Sequence, residues 1–393
     1  MTGRHDATGD GRPWARFDDL RAGTALRCPP PFQVLTARTP EDVVPVLAEV
    51  ERATAAGHWA FGYLGYEAAA GLDTALPVAA ADPDGPPLAW FGLCGPPTDV
   101  PPAGAAPAPW TAPPDWQPDW SDADHRHAVE RVREHIAAGD AYQVNLTDRL
   151  RARFDGDPAE LYAGLARAQG GAHHAYLDLG RHVIASASPE LFFEWDGERL
   201  RTRPMKGTAA RGRTPDDDRR RGDRLRASPK ERAENLMIVD LLRNDLSRVA
   251  RVGSVDVPGL FVLEDYPTVW QLTSEITART RADVGLVDVF RALFPCGSVT
   301  GAPKRASMQL IRDLEPGPRG VYCGAIGLVA PPGSAFRARF SVAIRTVVLD
   351  RETRAAVYGA GGAITWGSDP TAERAELLAK AAILRGALEP CGR

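Results

Sequence analysis

Of the 47 basic side chains, 43 are arginines and only four are lysines: Lys206, Lys230, Lys304 and Lys380. A chain that turns generic surface cations into Arg keeps a Lys where Arg does not serve. Arg stays protonated and is no nucleophile, whereas a Lys amine can lose its proton and attack carbon. Lys206 lies in Arg201-Thr-Arg-Pro-Met-Lys-Gly-Thr208, between a basic run and a Gly-Thr turn. It is the first candidate nucleophile; the alternative is a surface Lys at a strand end.

Paired carboxylates come next. Glu231-Arg-Ala-Glu234 and Glu373-Arg-Ala-Glu376 repeat one spacing. Residues at i and i+3 of a helix share a face, so each pair projects together. Ser228-Pro229 and Asp369-Pro370 supply a cap and a first-turn proline for the two helices. Four such carboxylates repel one another unless a cation joins them, and oxygen-rich Mg²⁺ fits the set. The competing explanation is local, since Ser228 with Glu231 also spells a capping box.

Two glycine-rich turns, Gly297-Ser-Val-Thr-Gly-Ala-Pro-Lys304 and Tyr358-Gly-Ala-Gly-Gly-Ala363, allow close backbone approach to a ligand. The first lacks the Gly-Lys-Ser/Thr ending of a phosphate loop, and the second lacks a dinucleotide register. A substrate carrying carboxylates suits them better than a nucleotide. The five cysteines (Cys28, Cys94, Cys296, Cys323, Cys391) form no CxxC pair, and none stands in a motif with one of the eight histidines. That pattern indicates neither a disulfide framework nor a zinc site, and it speaks against thiol catalysis.

These side chains need a frame. Helices are expected at 40–53 (cap Thr39), 121–138, 158–169, 231–248, 283–293, 303–314 and 371–388. Strands are expected at 58–66, 88–93, 143–150, 175–179, 182–186, 191–195, 321–329, 336–349 and 355–359. The charged run 212–227 reads as a solvated loop. Hairpin-like spacing predominates, so the fold class is α+β with large, mainly antiparallel sheets. The division is a loose N-terminus at 1–22, an αβ segment at 23–95, a Pro/Trp-rich connection at 96–120 and a catalytic unit at 121–390.

Length, 393 residues, allows a large core. Net charge of −4 gives no basic field for nucleic acid. No apolar run approaches the roughly 20 residues that span a membrane. Met1 to Arg16 has no hydrophobic core of a signal peptide, so a cytoplasmic location is expected.

Six segments in order carry a resemblance: Asp140–Thr147, Ala187-Ser-Pro-Glu-Leu191, Pro204–Thr208, Ala233–Asp245, Pro295–Lys304 and Gly359–Glu376. Together they resemble the chorismate-utilising enzymes, which include anthranilate, isochorismate and salicylate synthases and component I of aminodeoxychorismate synthase. The resemblance implies a sandwich of two large sheets flanked by helices. Within the family, Lys at position 206 and Gln143 in place of a basic Lys are similar to the enzymes that aminate chorismate at C4. The implied machinery is a covalent nucleophile at Lys206, a general acid at Glu190, and Mg²⁺ held by Glu231, Glu234, Glu373 and Glu376. Substrate contacts fall on Gln143, Gly207, Thr208, Gln271, Thr300, Arg345, Tyr358, Gly361, Gly362 and Lys380. Arg201, Arg203 and the metal are expected to keep the Lys206 amine neutral. Gln271 departs from a common His. Glu190 has a strand-start reading, and Arg345 an ion-pair reading. Ammonia is expected from a separate glutamine amidotransferase subunit. The alternatives are an anthranilate or 2-amino-2-deoxyisochorismate synthase component, or a non-catalytic chorismate-binding subunit.

Overall fold

The computed structural model describes residues 11–103, 114–266 and 269–386. Two ten-stranded sheets carry the architecture, each with nine strands in line and a tenth beside them (Gln117–Pro118 on Gln143–Arg153, Asp256–Asp265 on Val269–Arg279), and every strand pairing among the described residues is antiparallel. The first sheet runs Gly301–Ala302, Gln143–Arg153, Ala355–Ile364, Thr346–Asp350, His182–Ser188, His173–Asp178, Trp14–Asp19, Thr24–Cys28, Thr98–Val100. The second runs Met205–Ala210, Val269–Arg279, Arg199–Arg203, Leu191–Trp195, Ala338–Val342, Ala325–Val329, Trp59–Leu64, Ala89–Cys94, Gln33–Ala37.

Period-two patterning stacks the sheets. Ala175 and Leu177 meet Phe61, Tyr63, Ile326 and Leu328 in a core between the sheets. Tyr176 points the other way, with Val183 and Ala185, under the helix Pro158–Gln169. On the outside of the second sheet, Leu64, Phe193 and Phe340 pack beneath helices that contribute Leu47, Phe290 and Leu242. Each fully buried Leu or Phe is worth about 1.5–3 kcal/mol. The α+β sandwich flanked by helices therefore stands as expected.

Local differences have physical causes. Residues 14–19, within the segment expected to be loose, form a strand between two others, with Ala15 and Cys28 buried in the inter-sheet core. The run at 212–227 is largely a helix, Pro215–Ala227. Thr214 caps it by accepting from Asp217 N, three Asp occupy its first turn, and Arg224 and Arg226 occupy its last. Only Gly222 and Leu225 are buried on it, so apolar periodicity is absent and capping carries the signal. The expected strand 336–349 breaks at Arg345, whose φ of +50° turns the chain. Strands Asp256–Asp265 and Val269–Arg279 escape sequence reading. Residues 1–10, 104–113 and 387–393 of the expected segments lie outside the described residues.

Candidate active site

Lys206 sits on the strand Met205–Ala210, which pairs with Val269–Arg279. The register slips between Met205 and Thr208, so Lys206 and Gly207 form a bulge that re-aims the side chain. Gly207 has φ +92°, and a Cβ there would lie 2.9 Å from Glu231 Oε2, so both conformation and space demand glycine. The Lys206 amine is depressed from its ordinary value, first by burial and second by the charge of Lys380, against the pull of Glu234, Glu190 and Glu376. Arg201 and Arg203 do not perform this task as expected. Arg201 is paired with Glu194 at 2.9 Å, and Arg203 is paired with Glu264.

The other three lysines have acidic neighbours. Lys304 lies 2.8 Å from Asp245, Lys380 2.9 Å from Glu376, and Lys230 3.9 Å from Glu234. Among the described residues Lys206 has no carboxylate within 4.0 Å. A half-buried amine held near acids but bonded to none gives up its proton more readily than a solvated one.

Glu190 is 2 % exposed. Burial raises its carboxyl to about 7, only partly offset by a hydrogen bond from Ser298 and the charge of Lys206. Ser298 Oγ donates to Glu190 Oε1 at 2.6 Å, and the Cys296 thiol lies 3.2 Å from Ser298 Oγ. One carboxyl oxygen is thereby fixed, which leaves the other to carry a proton. A carboxylic acid poised near neutrality is what a general acid requires. Sequence reading missed Ser298 as a partner; it stood inside a turn valued for its glycines, with no local signal that it faces Glu190.

The glutamate pairs converge electrostatically. Burial raises Glu231, Glu234 and Glu373, and Glu376 adds to the rise in all three. Glu376 itself is lowered, its burial outweighed mainly by Lys380. Glu231 does not spend its side chain on a capping box; Ser228 only accepts from its backbone N–H. Gly362 faces Glu373 as Gly207 faces Glu231, since a Cβ on Gly362 would stand 3.2 Å from Glu373 Oε2. Among the described residues no three such ligands are yet close enough to hold an ion. Even so, an all-oxygen, mutually repelling set over two bare glycines fits a hard dication.

The expected substrate contacts divide. Gln143 is fully buried, yet neither its Oε1 nor its Nε2 has a partner. A buried amide left so costs on the order of 1–3 kcal/mol per group, which marks a place for a ligand or water. Arg345 has no carboxylate partner among the described residues and hydrogen-bonds Gln169, so its cation stays available for an anion and the ion-pair reading falls. Gly361 offers its carbonyl to Lys380 Nζ at 2.8 Å, which ties Lys380 to the glycine strand as well as to Glu376. Three residues are engaged elsewhere. Thr300 Oγ1 donates within its own turn to Cys296 O. The Tyr358 hydroxyl donates to Lys380 O. Gln271 bonds Gly207 and Thr208, with Nε2 donating to Gly207 O at 2.7 Å and Oε1 accepting from Thr208 Oγ1 at 2.9 Å. Lys304, at the end of the first glycine turn, is bound to Asp245 and Leu293 O.

The chain is similar to known proteins. Residues 97–386 match the family described as chorismate binding enzyme. Aminodeoxychorismate synthase component 1 of Salmonella typhimurium is 42% identical over 266 residues, 67% of this chain and 57% of that protein. Anthranilate synthase component 1 of Streptomyces coelicolor is also 42% identical, over 67% of this chain and 51% of that protein. The chain thus spans between half and three fifths of the length of these two relatives. The crystal structure of anthranilate synthase component I from Streptococcus pneumoniae superposes with a TM-score of 0.79 at 24% identity, covering 98% of this chain and 95% of that one; at that identity the likeness speaks for the fold.

Proposed function

The chain belongs to the family of chorismate-binding enzymes, and on that premise we propose that it aminates chorismate at C4, giving 4-amino-4-deoxychorismate. Equal identity to relatives named for either amination leaves the choice to the site. The observation that supports C4 is the Lys206 amine, depressed in basicity, bonded to no acid, and within electrostatic reach of the near-neutral carboxyl of Glu190.

In this reading Lys206 acts as a neutral amine. Its nitrogen bonds C2 as the diene shifts and the C4–O bond breaks. Glu190 gives its proton to the departing hydroxyl, which leaves as water. Ammonia then bonds C4 and the C2–N bond breaks, which returns Lys206 to the free amine. The proton shed by the new ammonium restores Glu190. Chorismate and ammonia thus become product and water, with atoms and charge balanced. Gln143 presents an unbonded amide to the bound substrate, and Arg345 presents an unpaired cation to a carboxylate. Glu231, Glu234, Glu373 and Glu376 are the residues that would hold Mg²⁺, whose charge, when bound, grips the ring carboxylate and draws electron density from the diene. Ammonia supply by a separate glutamine amidotransferase subunit and a cytoplasmic setting belong to the same proposal. No helix among the described residues is long and apolar enough to cross a membrane.

The test is product chromatography with chorismate, Mg²⁺ and ammonium. Wild type should yield the 4-aminated product, and Lys206→Ala should lose it by a factor of about 10³ or more. Full 4-amination by Lys206→Ala would refute the covalent step. An ortho-aminated product from wild type would assign the C2 reaction instead.

A further inference from the structure

We propose that Gln271 is a positioning residue for Lys206: its side-chain amide holds closed the bulge from which the amine projects. The inference rests on the reading of Lys206 given above. A bulge leaves its extra residue out of the strand ladder, so a backbone group there needs another partner. Gly207 lies with Lys206 between the paired Met205 and Thr208, and its carbonyl accepts from Gln271 Nε2 at 2.7 Å. The opposite end of the same amide accepts from Thr208 Oγ1 at 2.9 Å. Gln271 is 3 % exposed and sits on the central partner strand, directly opposite Thr208 in register. One planar group thus bridges two consecutive residues that follow the nucleophile, and it does so from a strand paired on both sides, with Met205–Ala210 and Asp256–Asp265.

The alternative partners for a freed Gly207 are poor. Its positive φ lets the peptide rotate, and the space on its Cα side leads toward Glu231. Loss of the amide would let residues 206–208 rotate as a unit and swing the amine away from Glu190. Misplacement of an attacking atom by about 1 Å costs on the order of a hundredfold in rate while binding is spared. A residue that touched substrate would show the opposite split, with binding weakened.

Two measurements decide it: hydrogen–deuterium exchange of the 205–210 segment in the free protein, and steady-state kinetics with chorismate and ammonium. Q271L should speed exchange at 205–210 by about tenfold or more and leave other strands of the same sheet unchanged. It should lower kcat about ten- to a hundredfold with KM for chorismate within about twofold. Q271E keeps the shape: when protonated it both donates to Gly207 O and accepts from Thr208, and when ionised it loses the donor. Its rate relative to wild type should therefore climb as pH falls. Unchanged exchange at 205–210 in both variants, or a raised KM with kcat kept, would overturn the role. Should wild type give no 4-aminated product, the functional reading falls alone, because the exchange comparison still decides what Gln271 holds.

Discussion

Two groups of polar and charged side chains are built on opposite plans. In one, Arg319 meets Glu315 through two hydrogen bonds of 2.6 and 2.9 Å and donates to Val299 O and Asn145 O. It also stacks over Tyr66. Glu315 takes further bonds from the Thr147 backbone and hydroxyl, and Glu67 accepts from the backbone N–H groups of Arg319 and Gly320. In the other, among the described residues, the Lys206 amine has no carboxylate within 4.0 Å, the Gln143 amide has no partner, and Glu190 has one short bond. The first group fixes the strand that carries Gln143 and the turn Gly297–Val299 whose Ser298 bonds Glu190. Saturated charge makes scaffold; charge left wanting keeps affinity for something that arrives later.

The largest expected effect lies in the saturated group. Arg319→Ala strands the Glu315 carboxylate in the interior and should cost about 3–5 kcal/mol in denaturant unfolding. Lys206→Met, of similar length and without charge, should leave stability unchanged or raise it by up to about 1 kcal/mol, while amination is lost. If Lys206→Met destabilised the fold as Arg319→Ala does, the distinction between the groups would fail.

Next in size is Glu190→Gln, which should lower kcat by about 10²–10⁴. Burial raises this carboxyl from 4.5 to about 7. Its acid form, and the rate it supports, is present below that value and lost as pH rises through it. Its contribution to stability has the same sign, full below 4.5 and gone above about 7. The variant should flatten both slopes, read from a pH–rate profile and from pH-dependent melting; an unchanged rate limb would remove Glu190 from the role.

The smallest effect sharpens the unsaturated side. Glu373→Gln should weaken Mg²⁺ binding about ten- to a hundredfold by calorimetry, with little change in melting temperature of the metal-free protein. Chelation should abolish amination and readdition of Mg²⁺ restore it. Equal Mg²⁺ affinity in the variant would exclude Glu373 as a ligand.

Much of this was legible before the structure. Scarce lysine drew attention to Lys206, and the repeated Glu-Arg-Ala-Glu marked two capped helices, because helix spacing and capping are local rules. The α+β class followed from hairpin spacing. What escaped were relations across the chain. Nothing in Arg201 and Arg203 shows that acids from other strands pair with them, or that Lys380, far along the sequence, depresses Lys206 instead. The bulge at Gly207 needs a partner strand, Val269–Arg279, that mixed composition concealed. The helix Pro215–Ala227 was overlooked because its stabilisation comes from caps and end charges rather than an apolar stripe.

The bond from Arg319 N to Glu67 Oε1 spans 252 positions. At roughly 5–20 residues per second of synthesis, the carboxylate emerges some ten to fifty seconds ahead of its mate. During that interval the nascent chain carries open sheet edges and a half-made interior, the condition in which intermolecular strand pairing competes with folding. Shielding those naked edges through that interval should therefore raise the yield of folded protein, read as the soluble fraction with and without a co-expressed chaperone.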